Sequence, residues 1–189
     1  EMGAGMLLSF AAGGFMKYLE ESIDWNEVMP LVDFVNLMTY DLVNGYSTVT
    51  GHHTLLYDYK PGQESTRKCV EWLLNKNLPP GKLIVGAAFY ARVWGNVENV
   101  NNGLYQSGKF LQGVKYGDFA TYFKDSADFK YFWDDEGKAP YQYSPSKKLF
   151  ATFDDPRSIA EKAKFVKNKK LGGIMFWELS EDLPQTGLV

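Results

Sequence analysis

At 189 residues the chain fits one globular domain, and its 45% hydrophobic content is ordinary for one. A net charge of −3, from 20 basic and 23 acidic side chains, leaves no electrostatic footprint for nucleic acid. No run reaches the ~18–20 consecutive apolar residues of a membrane span, and no signal peptide is seen in a sequence that reads as trimmed. The single cysteine, Cys69, excludes an intramolecular disulfide framework; it falls in a helical pattern and reads as a buried, inert thiol. The aromatic content, 12 Tyr, 13 Phe and 5 Trp, is high. Aromatic cores use such residues, and so do clefts that stack the C–H faces of sugar rings.

Taken in order, Met6 to Ala12 is a short apolar run stopped by Gly13-Gly14 and reads as a buried strand. After a polar stretch, Asp24 suits the N-cap of a short helix from Trp25 to Met29, which Pro30 stops. Asp33 to Asp41 is the most telling segment. It is apolar and β-branched or aromatic through Met38, then ends on Thr39-Tyr40-Asp41. A strand apolar along its length and polar at its carboxyl end is what an α/β barrel needs at its catalytic mouth. Gly45 to Pro61 is a long loop, Ser65 to Lys76 a helix with Val70, Leu73 and Leu74 on one face, and Lys82 to Tyr90 a second apolar strand ending polar at Tyr90 and Arg92.

From Gly95 to about Phe153 the alternation breaks into an aromatic, Gly- and Asn-rich stretch, too long for a simple connection and read as a small inserted α+β lobe. The pattern resumes with Asp155 as N-cap and Pro156 at the first helical position. Ile159, Ala163 and Val166 follow at helical spacing, Lys167, Lys169 and Lys170 sit at the helix end, and Ile174 to Trp177 is the last strand. Such a chain is α/β, a βα repeat with an insertion. A complete barrel takes about 250 residues. The units present therefore make half of one: residues 1–95 as three strands with their helices, 96–152 as the lobe, and 153–189 as a helix and the last strand.

Several strand-end residues have competing readings. Trp177 could be core or a ring platform. Arg92 could be a solvated arginine beside Glu98 or a ligand-binding group. His52 and His53 are adjacent, so on a strand they face opposite ways; with no Cys cluster beside them, loop packing fits better than a metal pair. Trp94, Tyr105 and Trp133 fit either further subsites or the lobe's own core.

The motifs resemble glycoside hydrolase family 18, the chitinases and their relatives. Asp33-Phe34-Val35-Asn36-Leu37-Met38-Thr39-Tyr40-Asp41 is similar to the family's sixth barrel strand, and Thr50-Gly51-His52-His53 to its Thr-Gly-His-Asn loop. Phe89-Tyr90-Ala91-Arg92 resembles the Phe-Tyr-Gly-Arg end of strand seven, with Ala91 for the usual Gly. Trp133 to Tyr141 resembles a strand of the lobe of the larger subgroup. Phe153-Asp154-Asp155-Pro156-Arg157-Ser158 resembles a helix entry, and Gly172 to Leu179 strand eight.

The resemblance implies a retaining hydrolase of β-1,4 bonds in chitin or other N-acetylglucosamine polymers. The substrate's own acetamide oxygen attacks, an exception to the two-carboxylate scheme, and no cofactor or metal is used. It implies catalytic roles for Tyr40, as donor to the acetamide, and for Asp41. It implies substrate contacts for Met38, Tyr90, Arg92 and Trp177, the last as floor beneath the distorted sugar. Alternation puts Met38 and Tyr40 on one inner face. The expected partner is an N-acetylglucosamine oligosaccharide, with no nucleic acid and no membrane, and the expected location is secreted, periplasmic or at the cell surface. The family's Asp-x-x-Asp-x-Asp-x-Glu signature, which supplies the general acid, is absent. This chain alone is then expected to be inactive, lacking the N-terminal half of the barrel. Alternatives are an endo-β-N-acetylglucosaminidase of the same family and a non-catalytic carbohydrate-binding member.

Overall fold

The computed structural model describes residues 5–124 and 128–188. Two sheets organise it. The first has four strands in the order β1 (Ser9–Gly13), β2 (Phe34–Met38), β3 (Leu83–Ala88) and β9 (Gly173–Trp177), every neighbouring pair parallel. The second is antiparallel, in the order β5 (Lys109–Lys115), β4 (Tyr90–Gly95), β8 (Leu149–Thr152), β7 (Ala139–Ser144), β6 (Lys130–Asp134).

The parallel register sorts side chains onto two faces. Val35, Leu37, Leu83 and Val85 point to one side, where they form a single core with Leu19, Trp25, Cys69, Val70, Leu73 and Phe165. The helical residues among these come from α1 (Met16–Glu21), α2 (Trp25–Val28), α3 (Thr66–Asn75) and α5 (Pro156–Lys169), while α4 (Phe119–Lys124) packs against the second sheet. The other face carries Met38, Gly86, Ala88, Met175 and Trp177, by the register of β2, β3 and β9. Alternation with period two thus divides each strand between core and cleft.

Caps fix the helices that cover the core. Asp24 accepts from the backbone N–H of Asn26 and Glu27, and Ser65 Oγ from that of Lys68 at 3.0 Å. Asp155 and Ser158 form a reciprocal capping box at α5, with Pro156 in the first turn. Asp155→Ala removes one half of that box, and a loss of about 1 kcal/mol is expected, read as a lower denaturant midpoint at unchanged slope.

Several expectations need correction. β1 begins at Ser9, not Met6, and Met6 and Leu7 are exposed. The polar stretch after Gly14 contains α1, whose Leu19 is fully buried. On α5 the buried line is Ser158, Lys162 and Phe165, with Ala163 exposed, so a lysine takes the place expected of an apolar residue. Trp133 to Tyr141 is a hairpin across β6 and β7 rather than one strand. Trp94 is fully buried in a lobe core with Tyr143 and Phe150 and lines no subsite. The antiparallel sheet begins at Tyr90, so Tyr90 and Arg92 lie on β4, beyond the end of the parallel strand. The two sheets meet at Phe89. Its N–H bonds Trp177 O at 2.9 Å, and its ring stacks on Phe176 with centroids 4.6 Å apart.

Candidate active site

The carboxyl ends of β2, β3 and β9 open into a cavity of about 490 Å³. It is lined by Met38, Tyr40, Asp41, Tyr90, Arg92 and Trp177, together with Gly113, Val114, Lys115 and Glu181. All the site residues singled out from sequence therefore come together in one cleft.

Each is placed by a local cause. β2 ends at Met38, and Asp41 turns the chain away with a left-handed φ of 56°, a conformation that Asp tolerates better than most residues. Tyr40 lies between, its ring packed on the backbone of β3 at Gly86. A Cβ at Gly86 would stand 2.8 Å from Tyr40 Cε1, so only glycine leaves room for the ring. Tyr40 and Tyr90 meet edge to face, with centroids 6.1 Å apart at 78°. Met38 and Met175 pack around this pair. Trp177 ends β9 on the same face and is 55% exposed, which disposes of the core reading for it.

Charge in the cleft is organised around Asp41. Arg92 donates to both carboxylate oxygens, Nε to Oδ1 and an Nη to Oδ2, each at 2.7 Å. The neighbour once considered for Arg92, Glu98, pairs with Lys148 instead. The fully buried His53 sits behind, its Nδ1 3.6 Å from Asp41 Oδ1. Burial alone would raise the Asp41 carboxyl, but the neighbouring His53 ring and the two-pronged Arg92 guanidinium hold it well below the usual carboxylate range. Burial pushes Tyr40 up to about 12, with help from the Asp41 charge, so its phenol stays a neutral donor. Burial likewise raises Tyr90 and depresses His53. Glu181 is raised by burial and by nearby Glu178.

Sequence reading missed Lys115, Glu181 and the role of His53 behind Asp41. Only the Gly-His-His loop motif pointed toward the last. The histidines diverge from a loop rather than a strand: His52 Nε2 lies 2.9 Å from Asp134 Oδ2, away from the cleft. Tyr105, also left open, hydrogen-bonds Tyr59 and Gln63 in that same side network. Trp133 stacks under Arg157, whose guanidinium carbon is 3.8 Å from the ring centroid. Among the described residues no group of three or more His, Cys, Asp or Glu could hold a metal, and no helix is long and apolar enough to cross a membrane.

Chemically, the cleft offers a neutral phenol donor, a fixed carboxylate–guanidinium pair and a bare indole face. Asp41, locked by Arg92, is a poor nucleophile, and Cys69 is buried with its thiol pushed far up by that burial and by Glu64. Fold and site define an α/β protein with a cleft of polar groups and one open aromatic face at the carboxyl ends of parallel strands. The profile described as Glycosyl hydrolases family 18 matches residues 2–182, and the chain belongs to that family.

Chitinase A1 of Niallia circulans is 30% identical over 97% of this chain, and chitinase 1 of Aphanocladium album 33% over 94%. The chain spans only 29% and 42% of those two proteins. Among solved structures, a glycoside hydrolase family 18 N-acetylglucosaminidase from Paenibacillus barengoltzii superposes with a TM-score of 0.87 at 38% identity. That match covers 96% of this chain and 54% of the other.

Proposed function

We propose that this chain is the second half of a (β/α)₈ barrel, strands five to eight, carrying the acetamide-binding side of a chitinase-type active site. Residues up to 89 and from 153 onward make the barrel portion, and 90–152 the lobe, the boundary falling at 89 rather than 95 because β4 belongs to the antiparallel sheet. The complete protein hydrolyses β-1,4 bonds of N-acetylglucosamine polymers with retention, through attack by the substrate's own acetamide oxygen. Tyr40 donates to that oxygen, Asp41 orders the sugar and its acetamide, Met38, Tyr90 and Arg92 contact the sugar, and Trp177 is the floor. An insoluble polymer is reached from outside the cytoplasm, which places the protein as secreted, periplasmic or on the cell surface.

The observation that carries this is the convergence of Tyr40, Asp41, Tyr90 and Trp177 on one cleft from three parallel strand ends. A neutral donor can hold the acetamide oxygen in line for attack, an ionised carboxylate suits the positive charge that spreads over the acetamide as its oxygen attacks, and an open indole suits a pyranose face. The names of the similar proteins point to the same linkage. The general acid belongs to the part of the barrel outside this chain, and losing a positioned acid costs roughly 10²–10⁴-fold in rate. On a chitin oligomer the complete protein should therefore release product while residues 1–189 alone release none above background. An isolated chain that turns over as fast as the complete protein would place the acid among its own carboxylates and overturn the half-site reading.

A further inference from the structure

The last partners between β2 and β3 are Leu37 and Val85, yet β3 runs on to Ala88. Beyond that point the backbone of β3 meets side chains in place of a strand. The Thr39 hydroxyl accepts from Gly86 N–H at 3.0 Å and donates to Gly86 O at 3.1 Å. Asp154 Oδ2 accepts from Ala88 N–H at 3.0 Å. Lys162, from α5, holds that carboxylate at 2.6 Å and also donates to Gly86 O at 3.3 Å. It donates as well to the Thr54 hydroxyl, which in turn donates to Asp154 Oδ2 at 2.8 Å, and Ser158 Oγ donates to Asp154 Oδ1 at 2.6 Å. Thr39, Thr54, Asp154, Ser158 and Lys162 are all buried to within 1%.

As a stabilising device a buried ion pair is weak, because desolvation offsets most of its attraction. What this one does is geometric. It substitutes for the departed strand at the two residues that seat the cleft. Gly86 is where the Tyr40 ring lies, and Ala88 precedes Tyr90 by two residues. Releasing Thr39 to Asp41 from the sheet is what lets Tyr40 and Asp41 turn into the cleft, and the side chains keep the vacated edge of β3 from moving with them.

We propose that Lys162, acting through Asp154, is a positioning residue that fixes the Tyr40 ring against Tyr90. The kinetic part rests on the functional reading above; the structural part does not. Lys162→Met alone would strand a buried carboxylate and can unfold the protein. The test therefore uses Asp154→Asn/Lys162→Met, which removes both charges and keeps an oxygen for Ala88 N–H.

In the complete protein, folded at the assay temperature, the pair should lower kcat on a chitin oligomer roughly 10–100-fold, as a small misplacement of reacting groups does. KM should change by less than about threefold. In a Tyr40→Phe background the same pair should cost less than about a further threefold, because its effect runs through Tyr40. Equal losses in both backgrounds, or no loss in a folded variant, would overturn the proposal. A crystal structure of the variant gives an answer independent of activity. The Tyr40–Tyr90 centroid separation should depart from 6.1 Å while α3 and α5 superpose, and unchanged rings would refute the positioning role. If Tyr40→Phe alone leaves kcat intact, the functional reading fails and the ring geometry still decides this one.

Discussion

Tyr40→Phe in the complete protein lowers kcat roughly 10²-fold, because it frees the acetamide oxygen from its line of attack. The substitution removes one hydroxyl and leaves the ring, so the packing on Gly86 and the edge contact with Tyr90 persist. On the proposed reading that hydroxyl meets a neutral acetamide in the ground state, and among the described residues it reaches only Met175 Sδ, at 4.0 Å. In the transition state it meets an oxygen in the course of bond formation. A donor that matters by aligning that oxygen for attack lowers kcat more than it raises KM. Because the Tyr40 phenol titrates only near 12, its loss should be felt equally from pH 5 to 9. Steady-state kinetics of parent and variant on a chitin oligomer measure this, and a kcat within about threefold of the parent's would remove Tyr40 from the mechanism.

Trp177→Ala acts otherwise. The indole is 55% exposed at the end of β9 and lines the cleft; on the proposed reading it touches the sugar in the bound complex as well as in the transition state. Stacking one pyranose face removes on the order of 100 Å² of apolar surface from water, about 2–3 kcal/mol. A loss of roughly 30–150-fold in kcat/KM follows, with KM raised as well as kcat lowered. Binding of an uncleaved N-acetylglucosamine oligomer, followed by calorimetry, should weaken in parallel. Affinity unchanged within about twofold would make Trp177 a wall residue rather than the floor.

The contrast between these two variants follows from features legible in the chain. Apolar runs that end in Thr39-Tyr40-Asp41, in Tyr90 and in Trp177 mark strands with polar or exposed tips; Met38 and Tyr40 do share the cleft, although β2 ends at Met38 and alternation does not extend to Tyr40. What could not be read is what depends on distant partners. Arg92 finds Asp41 across 51 positions, and nothing local separates that from a solvated arginine beside Glu98. Lys162 stands in a lysine-rich helix where composition argues for solvent, and only Thr54, Asp154 and Gly86 arriving from elsewhere bury it. Trp94 has the aromatic character of a sugar platform but is sealed beneath Phe110 and Phe150. Helix α1 escaped because Lys17, Glu20 and Glu21 dominate a short segment whose single fully buried anchor is Leu19. Periodicity needs more turns than that to register.

The central claim is that the substrate's acetamide, held by Tyr40 and Asp41, is the nucleophile. Comparing the complete protein on an N-acetylglucosamine oligomer and on the fully deacetylated oligomer of the same length tests it most directly. Cleavage of the acetylated chain with none of the deacetylated one, at equal concentration and pH, is the predicted result. Comparable rates on both would mean that attack comes from elsewhere and would contradict the account.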